Sequence, residues 1–106
     1  METVVGSKKQ EEKISELGAL ANQMFPDIEI MVFKGSFRRG IRSALGESRF
    51  QSWEEVAEQP SMIRKDFFQN VIDESLPHLI KIGLNREAAD ILISRLKKEN
   101  EKYLKP

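Results

Sequence analysis

The stretch KGSFRRGIRSALGESR, Lys34 to Arg49, holds the residues best placed to do chemistry, and that chemistry is the binding of anions. Five of its sixteen residues are basic and one is acidic, in a chain whose 17 Lys+Arg and 17 Asp+Glu cancel. Phe37, Ile41, Ala44 and Leu45 recur at i, i+4, i+7, i+8, which predicts a helix over 37–45 with Ser36 as N-cap and Gly46 as terminator. At about 100° per residue, Arg38, Arg39 and Arg42 fall on the opposite face. Arg38 and Arg39 then stand at the second and third helical positions. Cations there cost a few tenths of a kcal/mol each unless an anion offsets the helix dipole. Backbone N–H groups at a helix start bind phosphate, and a Gly-Ser approach lets a ligand come close. Arginine adds planar paired donors for phosphate or carboxylate. The expected anion- or partner-binding set is Lys34, Gly35, Ser36, Arg38, Arg39, Arg42, Arg49 and Phe50.

Two kinds of anion suit this set, an acidic protein surface and a nucleic-acid backbone. An ATP-binding phosphate loop does not, because KGS lacks the second glycine and the spacing of that motif. The segment SWEEVAEQPSMIRKDFFQNV has a helix-turn-helix outline in which Met62, Arg64 and Lys65 would reach a groove. Pro60 and the acidic Glu54, Glu55, Glu58 and Asp66 argue against it, since acidic faces repel a duplex.

No catalytic constellation is legible. His78 is the only histidine, and at a helix start beside Pro77 it reads as a partly buried or capping residue. The pairs Glu54-Glu55 and Asp73-Glu74 point about 100° apart on a helix, so neither makes a metal clamp or an acid–base pair. Absence of cysteine removes disulfides, thiolate metal sites and thiol nucleophiles. No cofactor is expected. Trp53, Phe67 and Phe68 could stack on bases, but their helical spacing with Ile63 and Val71 assigns them to the core. Phe50, next to Arg49, is the aromatic closest to the basic segment.

The elements that must position these groups are mostly helical. Residues 1–6 are expected as a tail, followed by a single helical domain over 7–106. Its first helix would start at Ser7, bury Ile14, Leu17, Leu20, Ala21 and Met24, and end at Pro26-Asp27. IEIMVF, 28–33, is rich in β-formers and predicts a short strand or extended segment, which has no partner strand in the chain. Ser52 with Glu55 forms a capping box ahead of Trp53, Val56 and Ala57. Ser61 would cap the next helix, with Ile63, Phe67, Phe68, Val71 and Ile72 inward. A short helix from Pro77 closes at Gly83. Asn85 caps the last helix, 86–104, with Ala88, Ala89, Ile91, Leu92 and Leu96 on its core face and Tyr103 and Leu104 beyond. The fold class is mainly α, a compact single domain of five to six helices.

Charge is blocked along this framework. Residues 1–33 carry net −3, residues 34–49 net +4, residues 50–80 net −4 and residues 81–106 net +3. Basic 37–45 could therefore be neutralised by the acidic helices of 53–74. Zero net charge weighs against a protein that coats nucleic acid, and favours an acidic protein partner or a second copy, joined through helix 86–104 or segment 28–33. The sequence has no apolar leader at its start and no membrane-length apolar run, which leads to the expectation of a cytoplasmic protein. The functional expectation is a small non-enzymatic regulatory or adaptor protein docking an acidic partner through the basic helix face. The alternatives are a nucleic-acid-binding module using the same arginines and, remotely, an enzyme of unknown class.

Overall fold

Phe33, Phe37, Ile41 and Ala44 lie four, four and three residues apart, and all four are buried. The computed structural model, which describes residues 4–104 and the side chains of 8–101, joins them in one helix, α2 (Ile30–Glu47). This corrects two expectations. Residues 28–33 form no strand: Ile30–Phe33 are the first turn of α2, and the described residues contain no strand. Ser36 is not a cap, because the N-cap is Glu29 and Ser36 is buried in mid-helix. The magnitudes explain the outcome. A β-branched residue costs at most about 0.7 kcal/mol in a helix, whereas burying one phenylalanine is worth roughly 1.5–3 kcal/mol. Phe33 reaches the core only if the helix begins before it.

The described residues form five further helices. α1 (Val4–Met24) runs before α2, joined by a turn in which Asn22 Nδ2 donates to Ile28 O at 2.7 Å. α1 already includes Val4–Gly6 of the expected tail, whose residues 1–3 lie outside the described residues, and Ser7 lies inside the helix. α3 (Trp53–Ala57), α4 (Ser61–Glu74), α5 (Leu76–Lys81) and α6 (Arg86–Leu104) follow, and α2 packs on three of the five, α1, α4 and α5. The Ser52 cap forms as expected, its Oγ accepting from Glu55 N at 3.4 Å, while the Glu55 carboxylate accepts from Gln51 N. Asn85 also caps as expected, accepting from Ala88 N at 2.7 Å. Pro60, not Ser61, is the N-cap of α4. α2 continues past Gly46 to Glu47, and Gly83 closes α5 with φ 121°, a left-handed conformation that glycine adopts without cost.

The core has two adjoining parts. Ile14, Ile41, Ala44, Trp53, Val56, Phe67 and Val71 pack where α1, α2, α3 and α4 meet. Leu17, Ala21, Phe33, Phe37, Ile72, Leu79, Leu84, Ala89, Leu92, Ile93 and Leu96 pack where α5 and α6 close the other end. Most expected core residues are here, but Ile91 is 56% exposed and Ile93 takes its place inside. Tyr103 and Leu104 have side chains outside the described residues. A single ammonium ties three helices together: Lys13 Nζ lies 3.2 Å from Asn100 Oδ1 of α6, 3.2 Å from Glu16 and 5.2 Å from the Phe68 ring centre of α4.

α2 approaches the α4–α5 junction most closely at Gly40. A Cβ built there would meet the Ser75 hydroxyl and lie 2.9 Å from Val71 O. Ser75 is buried, and its Oγ donates to Val71 O at 2.9 Å. Gly35, five residues earlier on the same helix, has nothing within 4 Å of a Cβ. Urea unfolding of the two alanine variants should therefore move in opposite directions. Gly40→Ala is expected to lose about 1–3 kcal/mol through overpacking, and Gly35→Ala to gain up to about 1 kcal/mol of helix propensity.

Candidate functional site

The extension of α2 back to Ile30 changes what the basic stretch can do. The backbone N–H groups of Gly35 to Arg38 lie inside the helix, so the expected anion cradle at a helix start is absent, and Arg38 and Arg39 sit in the third turn rather than the first. The basic residues divide among three surroundings. Lys34 and Arg38 turn toward α1. The Lys34 stem passes over Gly18, whose Cβ, were there one, would be 2.8 Å from Lys34 Cγ. Arg38 grips Glu11 with both arms, Nη2 to Oε1 at 2.7 Å and Nε to Oε2 at 3.2 Å. That hydrogen-bonded pairing is the main reason the Glu11 carboxyl is held below its ordinary range and the Arg38 guanidinium above its own. Lys34 adds a smaller pull on Glu11.

Arg39 and Arg42 are different. Both are exposed on the solvent side of α2, and among the described residues no carboxylate pairs with either. They share this side with Gly35 and Gly46, where a Cβ would meet nothing. One turn before Gly35, Met31 is 66% exposed and Val32 39%. The solvent side of α2 therefore runs from an apolar end through a glycine to two arginines and a second glycine.

Arg49 and Phe50 lie beyond the end of α2, on the side of α4. Ser48 fixes the turn, its Oγ donating to Leu45 O at 3.0 Å and accepting from Phe50 N at 3.0 Å. Phe50 is half-buried, edge-on to Phe67 with centroids 6.2 Å apart, and the Arg49 guanidinium lies 5.3 Å from the centre of the Phe50 ring. An open groove of about 290 Å³ lined by Ser48, Arg49, Phe50, Ile63, Asp66, Phe67 and Asn70 adjoins them. Trp53, Phe67 and Phe68 pack on one another, Trp53 stacked on Phe68 at 5.1 Å, as core aromatics. The eight expected residues thus do not converge on one point, and Ser36 is spent internally, its Oγ donating to Val32 O at 3.4 Å and His78 O at 3.5 Å.

Two residues absent from the expected set join Arg39: His78 and Lys81 of α5, which with Ile82 line a groove of about 300 Å³ against α2. Burial first, then the charges of Arg39 and Lys81, lower the His78 pKa below its ordinary value. Nothing in the local sequence of either helix signals this meeting, which depends on how α2 and α5 pack.

The acidic helices do not neutralise the arginines. Asp73 of α4 pairs with Lys97 of α6 at 2.6 Å, and Lys65 of α4 with Glu101 of α6 at 3.8 Å. Lys65 is thereby turned to α6 and Arg64 is half-buried, leaving Met62 as the one residue of the expected reading triplet that is fully exposed. Among the described residues no group of three or more His, Cys, Asp or Glu is disposed to hold a metal, and no helix is long and apolar enough to cross a membrane. Comparison with known proteins gives no match to a protein-family model, a curated protein or a solved structure.

Where α2 and α4 end together the contact is acid on acid. Hydrogen bonding with Glu47, followed by burial and the charges of Glu47 and Asp73, pushes the Glu74 carboxyl above its ordinary range. A raised folded-state pKa means the contact is tolerated below the unfolded value and costs stability as pH rises through the folded one. Glu47→Gln is expected to raise the melting temperature at about pH 7, with the gain shrinking as pH falls through the raised Glu74 value and gone below about pH 4. A melting series across pH on both chains checks this.

Proposed function

We propose that this chain is a small non-enzymatic adaptor that docks an acidic protein partner on the solvent side of α2. The observation that carries the reading is that Arg39 and Arg42 stand exposed without a carboxylate among the described residues, while neighbouring Lys34 and Arg38 are engaged with α1. Arginine without an internal partner supplies paired donors to carboxylates at little cost in reorganisation. Gly35 and Gly46 allow a partner's backbone to come close on either side, and Met31 and Val32 offer it an apolar contact at one end. The fitting partner is an amphipathic segment with acidic residues over Arg39 and Arg42 and an apolar residue over Met31.

A protein suits this surface better than a nucleic acid. On the solvent side of α2 only Arg39 and Arg42 remain for a phosphate backbone, Arg49 lying beyond the helix end against Phe50, and the exposed methionine adds nothing to phosphate contacts. Self-association is the other form the partner can take. Segment 28–33 has no strand edge to donate, so a second copy would meet the exposed Ile30, Met31 and Val32 as a helix face, while α6 directs most of its apolar residues inward and leaves Ile91 outside.

The test compares wild type with Arg39→Glu/Arg42→Glu, both verified as folded by circular dichroism. Binding is measured to acidic amphipathic peptides and to labelled single- and double-stranded DNA and RNA across a salt series, with sedimentation reporting self-association. Peptide binding that weakens about tenfold or more in the double variant is the expected result. Equal peptide binding by both chains overturns the reading. Nucleic-acid binding with a steep salt slope, lost in the variant, replaces it with the phosphate-backbone alternative.

A further inference from the structure

The groove between α2 and α5 brings together two fixed cations and an imidazole from helices far apart in sequence. Arg39, His78, Lys81 and Ile82 line its volume of about 300 Å³, and no carboxylate does. Arg39 and Lys81 are exposed, His78 is half-buried, and among the described residues neither cation has an ion-pair partner. Like charges on facing helices repel, so the arrangement is unfavourable when the groove holds only water and favourable when it holds an anion. On the wall of the groove, Ser36 Oγ, three residues before Arg39, lies 3.5 Å from the carbonyl of His78 itself. The volume is at the lower end of ligand pockets, which suits a head group rather than a whole nucleotide.

We propose that this groove is a binding site for a phosphate monoester, held by the Arg39 guanidinium and the Lys81 ammonium with His78 as a third, pH-dependent donor. The site goes beyond the docking reading and requires no protein partner. Phosphate is favoured over carboxylate by charge: a monoester carries about −1.5 to −2 near pH 7 and matches two cations, where a carboxylate leaves one unmatched. Arginine supplies the paired planar donors and lysine a point charge.

His78 gives the site a signature. The charged groups acting on its ring are Arg39 of α2 and Lys81 of its own helix; α4 and α6, which also pack on α5, place no side chain in the groove. Burial and these two cations hold the imidazolium back, and a bound dianion reverses the repulsion. The histidine pKa is then higher in the complex than in the free chain, so affinity rises as pH falls through the bound-state value toward the free one. Sulfate stays a dianion throughout this range and isolates the contribution of the protein.

The experiment is a sulfate titration followed by amide and imidazole NMR shifts at about pH 7.5 and about pH 5.5. It uses the wild-type chain, Arg39→Gln, Lys81→Gln and His78→Gln, with sodium chloride at equal ionic strength as reference. The expected result is saturable shifts at residues 39, 78, 81 and 82 that chloride does not reproduce. Binding should be about tenfold weaker in Arg39→Gln or Lys81→Gln, tighter at the lower pH for wild type, and insensitive to pH in His78→Gln. Shifts matched by chloride, or unchanged by the Arg39 and Lys81 substitutions in folded variants, overturn the proposal, as does wild-type affinity that is flat with pH. Inorganic phosphate, free O-phosphoserine and a phosphoserine peptide then identify the source. A peptide binding tighter than free O-phosphoserine assigns the site to a phosphorylated chain, and equal affinities assign it to small phosphate monoesters. Because the titration uses the chain alone, its failure leaves the peptide-docking test standing, and the converse holds.

Discussion

Position 40 carries no side chain, and the arrangement of the other helices around α2 depends on that fact. α2 packs on α1, α4 and α5, and at Gly40 its backbone comes within a methyl group's width of the Ser75 hydroxyl and the Val71 carbonyl. Two buried serines complete the contact from either side without adding a demand for outside partners. Each hydroxyl donates to the carbonyl four residues back, Ser36 within α2 and Ser75 from the end of α4, and Ser36 also lies 3.5 Å from the His78 carbonyl. With small groups at 36, 40 and 44, the helix can lie close to the α4–α5 junction while Phe33, Phe37 and Ile41 fill the space on either side. Close packing of this kind admits little change in volume. The same approach sets Arg39 beside α5 and leaves Arg42 facing solvent, so the chemistry of the surface follows from the fit of the interior.

Much of the fold was legible because its elements follow rules that act over a few residues. Ile14, Leu17 and Ala21, and later Ala89, Leu92 and Leu96, announce buried helical faces by spacing alone, and Ser52 and Asn85 announce caps by residue type. The failure at 28–33 came from the same local view. Ile28, Ile30, Val32 and Phe33 favour strands when weighed singly, and Gly35-Ser36 imitates a turn. The opposing signal was present in the four-residue step from Phe33 to Phe37, which continues the stripe already read from Phe37 to Ala44. Ile91 and Ile93 show a finer limit. Both lie near the boundary of one apolar stripe, and the orientation of α6 against its neighbours decides which is covered.

The basic stretch was correctly singled out as unusual, but its geometry was not available from local pattern. Moving one helix boundary by seven residues removed the proposed phosphate cradle, buried Ser36 and gave Arg38 to Glu11, twenty-seven positions earlier. Charge blocks along the chain likewise proved a poor guide to pairing. α4 exchanges charge with α6 in both directions, while its end meets α2 carboxyl to carboxyl. Exposed pairs contribute only about 0–1 kcal/mol each, too little to dictate how helices pack. The apolar residues decide the packing, and the charges settle into what it leaves.

The division of the core into two parts bears on the order in which the chain can acquire structure. Every member of the cluster around Trp53 and Phe67 has been synthesised once Val71 is made. The cluster around Phe33 and Phe37 lacks its covering residues until Leu96, and the link from Lys13 to Asn100 closes a span of 87 residues. On an emerging chain, Phe33 and Phe37 of α2 are therefore made well before the α6 residues that complete their cluster, and α6 is the element that ends their exposure.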